Sequence, residues 1–300
     1  MTIARVPHPI PYQGSKRGLA PTIGNYVPHD IDVWFEPFAG SAAMSLWAAR
    51  VRQPKKFVIA DSLVPMASLW RQIISDPDTV ADQYEKIWRG QLDQELDYFN
   101  RIRDRFNQYN DPVDLLYLTC RCVKNAIRFN RRGSFTQSVD KRRMGMKPDK
   151  MRRELHGASF LLRDRTEVRE GDWLLTTADA APADYVYMDP PYLGTSQGRD
   201  KRYAEWMSQE RLIAGLREFR SRNLRFGLSY DGQSGERTYG PPLPEDLRLT
   251  RLLLHAGRSS QATLNGKRAE TFESLYLSHG IGMGAESFSA PASARDLIAA

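Results

Sequence analysis

Residues 184–192 have the sequence DYVYMDPPY, and this stretch decides the fold that we expect. Residues 185–188 are apolar and aromatic, which is typical of a buried strand. Two consecutive prolines follow, and they cannot continue a central strand because each lacks an N–H group and has a fixed φ. The chain is therefore predicted to leave a sheet here, in a rigid loop that presents Asp189, the Pro190 carbonyl and the ring of Tyr192.

A βαβ unit is predicted upstream, in the sequence VWFEPFAGSAAMSLWAARVRQPKKFVIAD of residues 33–61. Its ligand crevice should lie at the carboxyl ends of the two strands. Gly40 would let the backbone approach a nucleoside or amino acid moiety closely. Asp61 would accept hydrogen bonds from ribose hydroxyls, although a solvated aspartate at a strand end is the alternative. The G-x-G-x-x-G pattern is missing, which argues against NAD binding.

Residues 64–165 differ in character, because long charged stretches with helical periodicity replace the β-type pattern. We interpret them as an inserted, mainly helical target-recognition domain. The predicted fold class is α/β, a Rossmann-like sheet with helices on both faces, because β-type segments return after the insertion. The catalytic domain would comprise residues 1–63 and 166–280. Residues 281–300 are rich in Gly, Ala and Ser and are expected to form a flexible tail.

A basic segment lies at the end of this insertion, between residues 121 and 153. Its polarity argues against a core role, and the alternatives are contact with phosphates or a solvated charged face. The whole chain has a net charge of +7 and a pI near 9.4, which favours a polyanionic partner. The basic residues of the segment are Arg121, Lys124, Arg128, Arg131, Arg132, Lys141, Arg142, Arg143, Lys147, Lys150, Arg152 and Arg153.

Composition excludes several classes of protein. The two cysteines, Cys120 and Cys122, cannot form a disulfide framework or a four-cysteine zinc site. The histidines His8, His156 and His255 lack ligand spacing, so we expect no metal. No apolar run is long enough to span a membrane, and the first residues lack the apolar segment of a secretory signal. We therefore expect a cytoplasmic protein.

The loop after residue 188 suits a flat heterocycle that carries an amino group. The ring would stack on Tyr192, while Asp189 and the Pro190 carbonyl would accept hydrogen bonds from the NH₂ group. An ordinary strand exit is the alternative. Asp172 and Trp173 would bracket an adenine ring, or Asp172 would merely cap a helix.

Six segments occur in an order that resembles the Dam-related alpha-class N6-adenine DNA methyltransferases. They extend over most of the chain, from about residue 11 to residue 278, with DPPY as the last motif. The segments are YQGSK (12–16), FEPFAGSA (35–42), Asp61, NAIRFNRRGSF (125–135), GDW (171–173) and DPPY (189–192).

The resemblance implies that S-adenosylmethionine is the methyl donor and that no metal is needed. It implies a catalytic loop formed by Asp189, Pro190 and Tyr192. Two departures keep small residues in place. The family turn more often has Trp and two glycines where this chain has Tyr12, Gly14 and Ser15, and Ala42 stands where the family usually has a second glycine. The residues that correspond to the cofactor site are Tyr12, Lys16, Phe38, Gly40, Asp61, Asp172, Trp173 and Asp189.

The resemblance also implies double-stranded DNA as the partner, bound through a recognition hairpin. Phe129 and Asn130 would enter the duplex where the target adenine is flipped out. The enzyme would either protect DNA against a cognate restriction endonuclease or act alone. Three alternatives stay open: a cytosine N4 methyltransferase, an RNA or protein amide methyltransferase, or a DNA-binding relative that has lost catalysis. The residues implied in DNA binding are Lys124, Asn125, Arg128, Phe129, Asn130, Arg131, Arg132 and Ser134.

Overall fold

A computed structural model describes residues 5–92, 95–191, 208–234, 237–239, 243–258 and 270–281. Two predictions made from the sequence lie outside these residues. They are the stacking of a base on Tyr192 and, apart from Ile281, the flexible tail.

The core of the protein is a mixed sheet with the order β3-β2-β1-β4-β5-β8-β7, to which β6 adds by pairing with β5. The first five strands in this order are parallel, and β8 is antiparallel to both β5 and β7. The strands are β1 Val33–Glu36, β2 Lys56–Asp61, β3 Thr166–Glu170, β4 Tyr185–Met188, β5 Arg225–Ser234, β6 Arg237–Tyr239, β7 Thr250–Arg258 and β8 Glu270–Leu277.

Helices lie in the connections between the parallel strands. In the described part of the chain none of them is both long and apolar enough to cross a bilayer. The helices are α1 Ala20–Gly24, α2 Ala43–Val51, α3 Val64–Ser75, α4 Pro77–Gly90, α5 Glu95–Tyr109, α6 Pro112–Arg121, α7 Pro148–Leu162, α8 Trp173–Thr176 and α9 Gln209–Ser221.

Both faces of the sheet are covered by helices. Strand β4 shows this directly, because its buried side chains alternate between two separate hydrophobic clusters. Tyr185 and Tyr187 join the cluster that contains α2, α3 and α7, whereas Val186 and Met188 join the cluster that contains α9. A parallel sheet covered on both faces is the predicted Rossmann-like arrangement, which is confirmed.

The predicted insertion between β2 and β3 contains the five helices α3 to α7 and a hairpin. Trp70 of α3 and Leu155 of α7 are fully buried in the cluster that also lies on β1 and β2. The hairpin follows α6, and antiparallel bridges pair Phe129 with Phe135 and, nearer its base, Cys122 with Val139. The helical region therefore shares a continuous core with one face of the sheet.

Helix α9 can approach α8 closely because residue 215 is a glycine. A Cβ atom at that position would lie 2.4 Å from the buried Trp173 ring, which has no room to move. We expect Gly215→Ala to lower the free energy of unfolding by about 1–3 kcal/mol, since overpacking outweighs the gain in helix propensity. The measurement is urea unfolding followed by circular dichroism. Gly18→Ala is the control, because a Cβ at Gly18 meets no atom within 4 Å; equal stability of the two variants would contradict the packing argument.

Candidate active site

The candidate site lies where the strand order of the sheet reverses. Strand β1 has β2 on one side and β4 on the other, so the chain continues in opposite directions from this pair. In open α/β sheets, ligands bind outside the carboxyl ends of the strands at such a point. Glu36 ends β1 and Asp189 directly follows β4, so both carboxylates lie at this crevice.

An ion pair between Lys16 and Asp189 joins the first motif, YQGSK, to the last motif, DPPY. The Lys16 Nζ atom lies 2.7 Å from Asp189 Oδ1 and 2.8 Å from Oδ2, and it also donates to the Gly14 carbonyl at 3.0 Å. Lys16 is only 3% exposed, whereas the Asp189 side chain keeps 21% of its surface accessible. The lysine is thus buried behind the carboxylate, and the carboxylate faces the crevice.

Burial raises the pKa of Asp189 to about 6, although Lys16 opposes this shift by its charge and its hydrogen bonds. The nearby charge of Glu273 raises the pKa further. Asp189 is therefore ionised at neutral pH, but it accepts a proton much more readily than an exposed aspartate does.

The turn at Gly40 contacts three other residues, Tyr12, Asp61 and Trp70. Gly40 has a φ of +45°, and a side chain there would meet the ring of Tyr12, whose Cε1 atom lies 3.5 Å from the position of a Cβ. Its N–H donates to Asp61 Oδ2 at 2.9 Å, and its carbonyl accepts from Trp70 Nε1 at 2.9 Å. Two residues later, Ala42 also has a positive φ, 44°, a conformation that costs a non-glycine residue about 1 kcal/mol.

Asp61 holds the backbone on both sides of the crevice. Besides the contact with Gly40, its Oδ1 accepts from the Leu63 amide at 2.9 Å. Burial raises its pKa, and the two amide hydrogen bonds oppose that shift. Each carboxylate oxygen has a further lone pair, so Asp61 can still accept from a ligand hydroxyl.

Glu36 is a buried acid of the site to which the sequence analysis assigned no role. It is 3% exposed and accepts a hydrogen bond from the Ser45 amide at 2.6 Å and another from the Ser45 hydroxyl. Burial raises its pKa to about 8 despite these bonds, and the charge of Asp189 contributes to the rise. The sequence did contain a signal for this residue, because a glutamate inside the apolar run VWFEPF is expected to be buried.

Asp172 and Trp173 occupy different environments. Asp172 Oδ1 accepts from the Leu174 amide at 3.0 Å and so caps α8, and its Oδ2 lies 2.6 Å from an Arg211 nitrogen. Trp173 is 2% exposed, and its ring packs between Phe38 and Phe219. Its indole ring therefore supports Phe38 from behind instead of lining the crevice.

The predicted DNA-contacting residues split into an exposed and an internal group. Lys124, Arg128, Asn130, Arg131 and Arg132 are exposed, and Ser134 is half-buried. Asn130 shapes the hairpin tip, because its side-chain oxygen accepts from the amides of Arg132, at 2.9 Å, and Ser134, at 3.0 Å. Within the described residues, none of the exposed basic side chains of this group forms an ion pair.

Phe129 and Asn125 belong to the internal group. Phe129 is 5% exposed and packs against Phe106 and Phe135, so in this conformation its ring is not available to enter a duplex. Asn125 donates to the Thr119 carbonyl at 2.8 Å and thereby holds the end of α6. Its own carbonyl accepts from the Gln13 amide at 3.0 Å, which links the hairpin base to the N-terminal turn.

Several other basic residues of the segment are neutralised within the protein. Arg142 and Arg143 both bind the buried Asp140, whose pKa their hydrogen bonds hold well below its usual range. Arg152 lies between carboxylates of α4. Among the described residues of this segment, the positive charge that has no ion pair lies on the hairpin and on Lys141, Lys147, Lys150 and Arg153. In the part of the chain that the structure describes, no three His, Cys, Asp or Glu side chains form a group suited to a metal ion.

Comparison with known proteins agrees with this geometry. The family model of the D12 class N6 adenine-specific DNA methyltransferases matches residues 12–271. Type II methyltransferase M1.LlaDCHI of Lactococcus lactis subsp. cremoris is 24% identical over 194 residues, which cover 62% of this chain and 66% of that protein. Type II methyltransferase M.CviBI of Paramecium bursaria Chlorella virus NC1A is 23% identical over 185 residues, 61% of this chain and 68% of that protein. The matches thus span about two thirds of each relative. As the motif order predicted, the chain belongs to the D12 class N6 adenine-specific DNA methyltransferase family.

Proposed function

We propose that this protein transfers the methyl group of S-adenosylmethionine to N6 of an adenine that is flipped out of a specific sequence in duplex DNA. The observation that carries the proposal is the position of Asp189. Its carboxylate is held by Lys16 at the crevice formed by β1 and β4, beside the turn at Gly40.

The residues around Gly40 fit a nucleoside-containing cofactor. The positive φ of Gly40 and its lack of a side chain leave the backbone open to close approach next to the Tyr12 ring. Asp61 has acceptor capacity left for ribose hydroxyls, and Phe38, held by Trp173, is half-buried at the same edge. When bound there, S-adenosylmethionine would supply a methyl group on a sulfonium, which is already activated for transfer.

Asp189 would act on the amino group of the target base. The lone pair of an adenine N6 is delocalised into the ring, so the nitrogen is a poor nucleophile. Hydrogen-bond acceptors that hold the amino hydrogens favour a pyramidal nitrogen with a localised lone pair. Asp189 and the Pro190 carbonyl would be these acceptors, and the fixed loop would position the base before the reaction begins.

The hairpin would hold the DNA while the base is displaced. A base inside a duplex cannot reach this crevice, so it must be extruded, at a cost of a few kcal/mol. Arg131 and Arg132 at the exposed tip would bind phosphates or base edges there. For Phe129 to replace the missing base, the hairpin would have to open, because the ring is packed inside.

Both relatives are named type II methyltransferases. We propose a similar role here, in which methylation protects DNA from a cognate restriction endonuclease that acts on the same sequence. Methylation by an orphan enzyme is the alternative role.

The first prediction concerns the product and the acceptor carboxylate. Incubation of the protein with labelled S-adenosylmethionine and duplex DNA, followed by digestion to nucleosides, should yield N6-methyldeoxyadenosine. Asn keeps one acceptor oxygen but loses the charge by which Lys16 holds it in place. Asp189→Asn should therefore lower kcat by about 100- to 1000-fold, since loss of one preorganised contact costs about 3–4 kcal/mol. Binding of S-adenosylmethionine by calorimetry should stay within about tenfold of wild type.

Asp246→Asn is the matched control, because Asp246 pairs with Arg217 on the far side of the α9 layer. N4-methyldeoxycytidine as the product would establish the cytosine alternative. Label that enters RNA, but not DNA, in parallel incubations would establish the RNA alternative. DNA binding with no product would establish an inactive relative, and full activity of Asp189→Asn would remove Asp189 from catalysis.

The second prediction is an acid limit to activity. Asp189 must be ionised to pair with Lys16 and to accept a hydrogen bond from the amino group, and its pKa is raised to about 6, so kcat should fall about tenfold per unit below that pH. The charged and titratable groups that surround it are Lys16, Glu273, Glu36 and Tyr187. Since Lys16 lowers this pKa, Lys16→Gln should move the acid limb to higher pH. Limbs that coincide in the two proteins would show that another group titrates.

The third prediction concerns the hairpin tip. Each phosphate contact contributes about 0.9 to the slope of log affinity against log salt concentration, so Arg132→Ala should reduce the slope for duplex DNA by about that amount. Fluorescence anisotropy between 50 and 200 mM salt measures it. Arg152→Ala is the control, since its partners are carboxylates of α4. An unchanged slope in Arg132→Ala would place this arginine outside the interface.

A further inference from the structure

Glu273 is a carboxylate at the crevice that neither the motifs nor the proposed chemistry use. It lies on β8, opposite Gly232 of β5, next to an irregularity in the pairing of these two strands. Its Oε2 atom is 3.5 Å from Lys16 Nζ. Bulges near active sites often redirect a side chain, and here Glu273 is directed at the cation that holds Asp189.

The neighbouring described residues of β8 have other contacts, so only the Glu273 side chain of this stretch is directed at Lys16. Side chains alternate along a strand, and Ser274 and Tyr276 point to the opposite face. There they bind Arg251 and the buried Asp231, so that network is complete without Glu273.

Lys16 attracts Glu273 by charge. An ammonium group has three N–H donors, and among the described residues Lys16 Nζ donates to the Gly14 carbonyl and to both oxygens of Asp189. The Oε2 atom of Glu273 is buried and has no hydrogen-bond partner among the described residues. Glu273 therefore keeps its acceptor capacity and its negative charge beside a cation that is already bonded to another carboxylate.

Among the described residues of the crevice, carboxylates outnumber the cation. Lys16 balances Asp189, and Glu36 is largely neutral at pH 7 because its pKa is raised to about 8. Glu273 therefore adds a negative charge that this ion pair does not balance, and Asp61 lies at the same crevice. In the proposed reaction, the nitrogen lone pair forms the new C–N bond and the C–S bond breaks with its electron pair on sulfur. The methylated amine then releases one proton to solvent. The donor is cationic and its thioether product is neutral.

We propose that Glu273 is a positioning residue of the transfer site, and that its excess negative charge favours the cationic methyl donor over the neutral thioether product. The inference rests on the proposed function, because it needs S-adenosylmethionine to bind at this crevice.

The test is calorimetric titration of the full-length chain with S-adenosylmethionine and, separately, S-adenosylhomocysteine at pH 7.5. In Glu273→Gln the Kd for S-adenosylmethionine should rise about tenfold, equivalent to about 1.4 kcal/mol, while the Kd for S-adenosylhomocysteine should change less than twofold. Glu218→Gln is the control, since Glu218 is exposed on α9 and pairs only with Arg222 among the described residues; its ratio of the two Kd values should equal that of wild type.

If the ratio of the two Kd values is unchanged in Glu273→Gln, the inference is overturned. An unchanged ratio with an equal loss of affinity for both compounds would indicate a structural role for Glu273. Glu273→Asp keeps the charge on a shorter side chain and should keep the ratio within about twofold of wild type. A larger change in the ratio of the two Kd values in Glu273→Asp would also overturn the inference. This test holds whether or not Glu273→Gln folds. A wild-type protein that binds neither compound would refute the proposed function itself, whereas binding with an unchanged ratio refutes only the role of Glu273.

Discussion

A buried ammonium group needs counter-charges, because its removal from water costs several kcal/mol. The counter-charge of Lys16 is Asp189, which reaches it because β4 ends beside the N-terminal turn. The rest of the site depends on this ion pair. The pair fixes the carboxylate at the crevice, and it also fixes the turn that carries Tyr12 against Gly40. Because the same turn is hydrogen-bonded to Asn125 at the base of the hairpin, the loop after β4, the N-terminal turn and the hairpin form one connected structure.

The sheet topology explains why such distant segments meet. Strands β1 and β4 are neighbours although the whole helical region separates them in the sequence, and their carboxyl ends share one edge. A loop that leaves β4 through two prolines therefore arrives at the turn that leaves β1. The long insertion after β2 does not disturb this arrangement, because α3 and α7 pack on the same face of the sheet and extend its core instead of building a separate one.

The sequence predicted the parts of the site that depend on local pattern, and it missed those that depend on tertiary packing. Strand β4 and the βαβ unit were clear because buried parallel strands are continuous apolar runs. Strand β3 has the sequence TEVRE at the edge of the sheet, so it lacks that signal. Phe129 stands among arginines and therefore resembled a surface residue. Its burial depends on Phe106 of α5, a contact that no local pattern reveals.

The distribution of charge gives the proposed reaction a direction. Twelve of the 43 Lys and Arg residues, but only two of the 36 Asp and Glu residues, lie between residues 121 and 153, so the remainder of the chain is net negative. This segment, which includes the hairpin, therefore carries the positive charge that would attract a polyanion. Among the described residues of the crevice the balance is opposite, because Glu273 adds a carboxylate to an already neutral Lys16–Asp189 pair. A neutral base can pass from the positive region to the negative one without an electrostatic penalty, whereas the phosphates cannot follow it. In the proposed function, this separation of charge would hold the DNA backbone at the hairpin and would leave the crevice free for a cationic methyl donor.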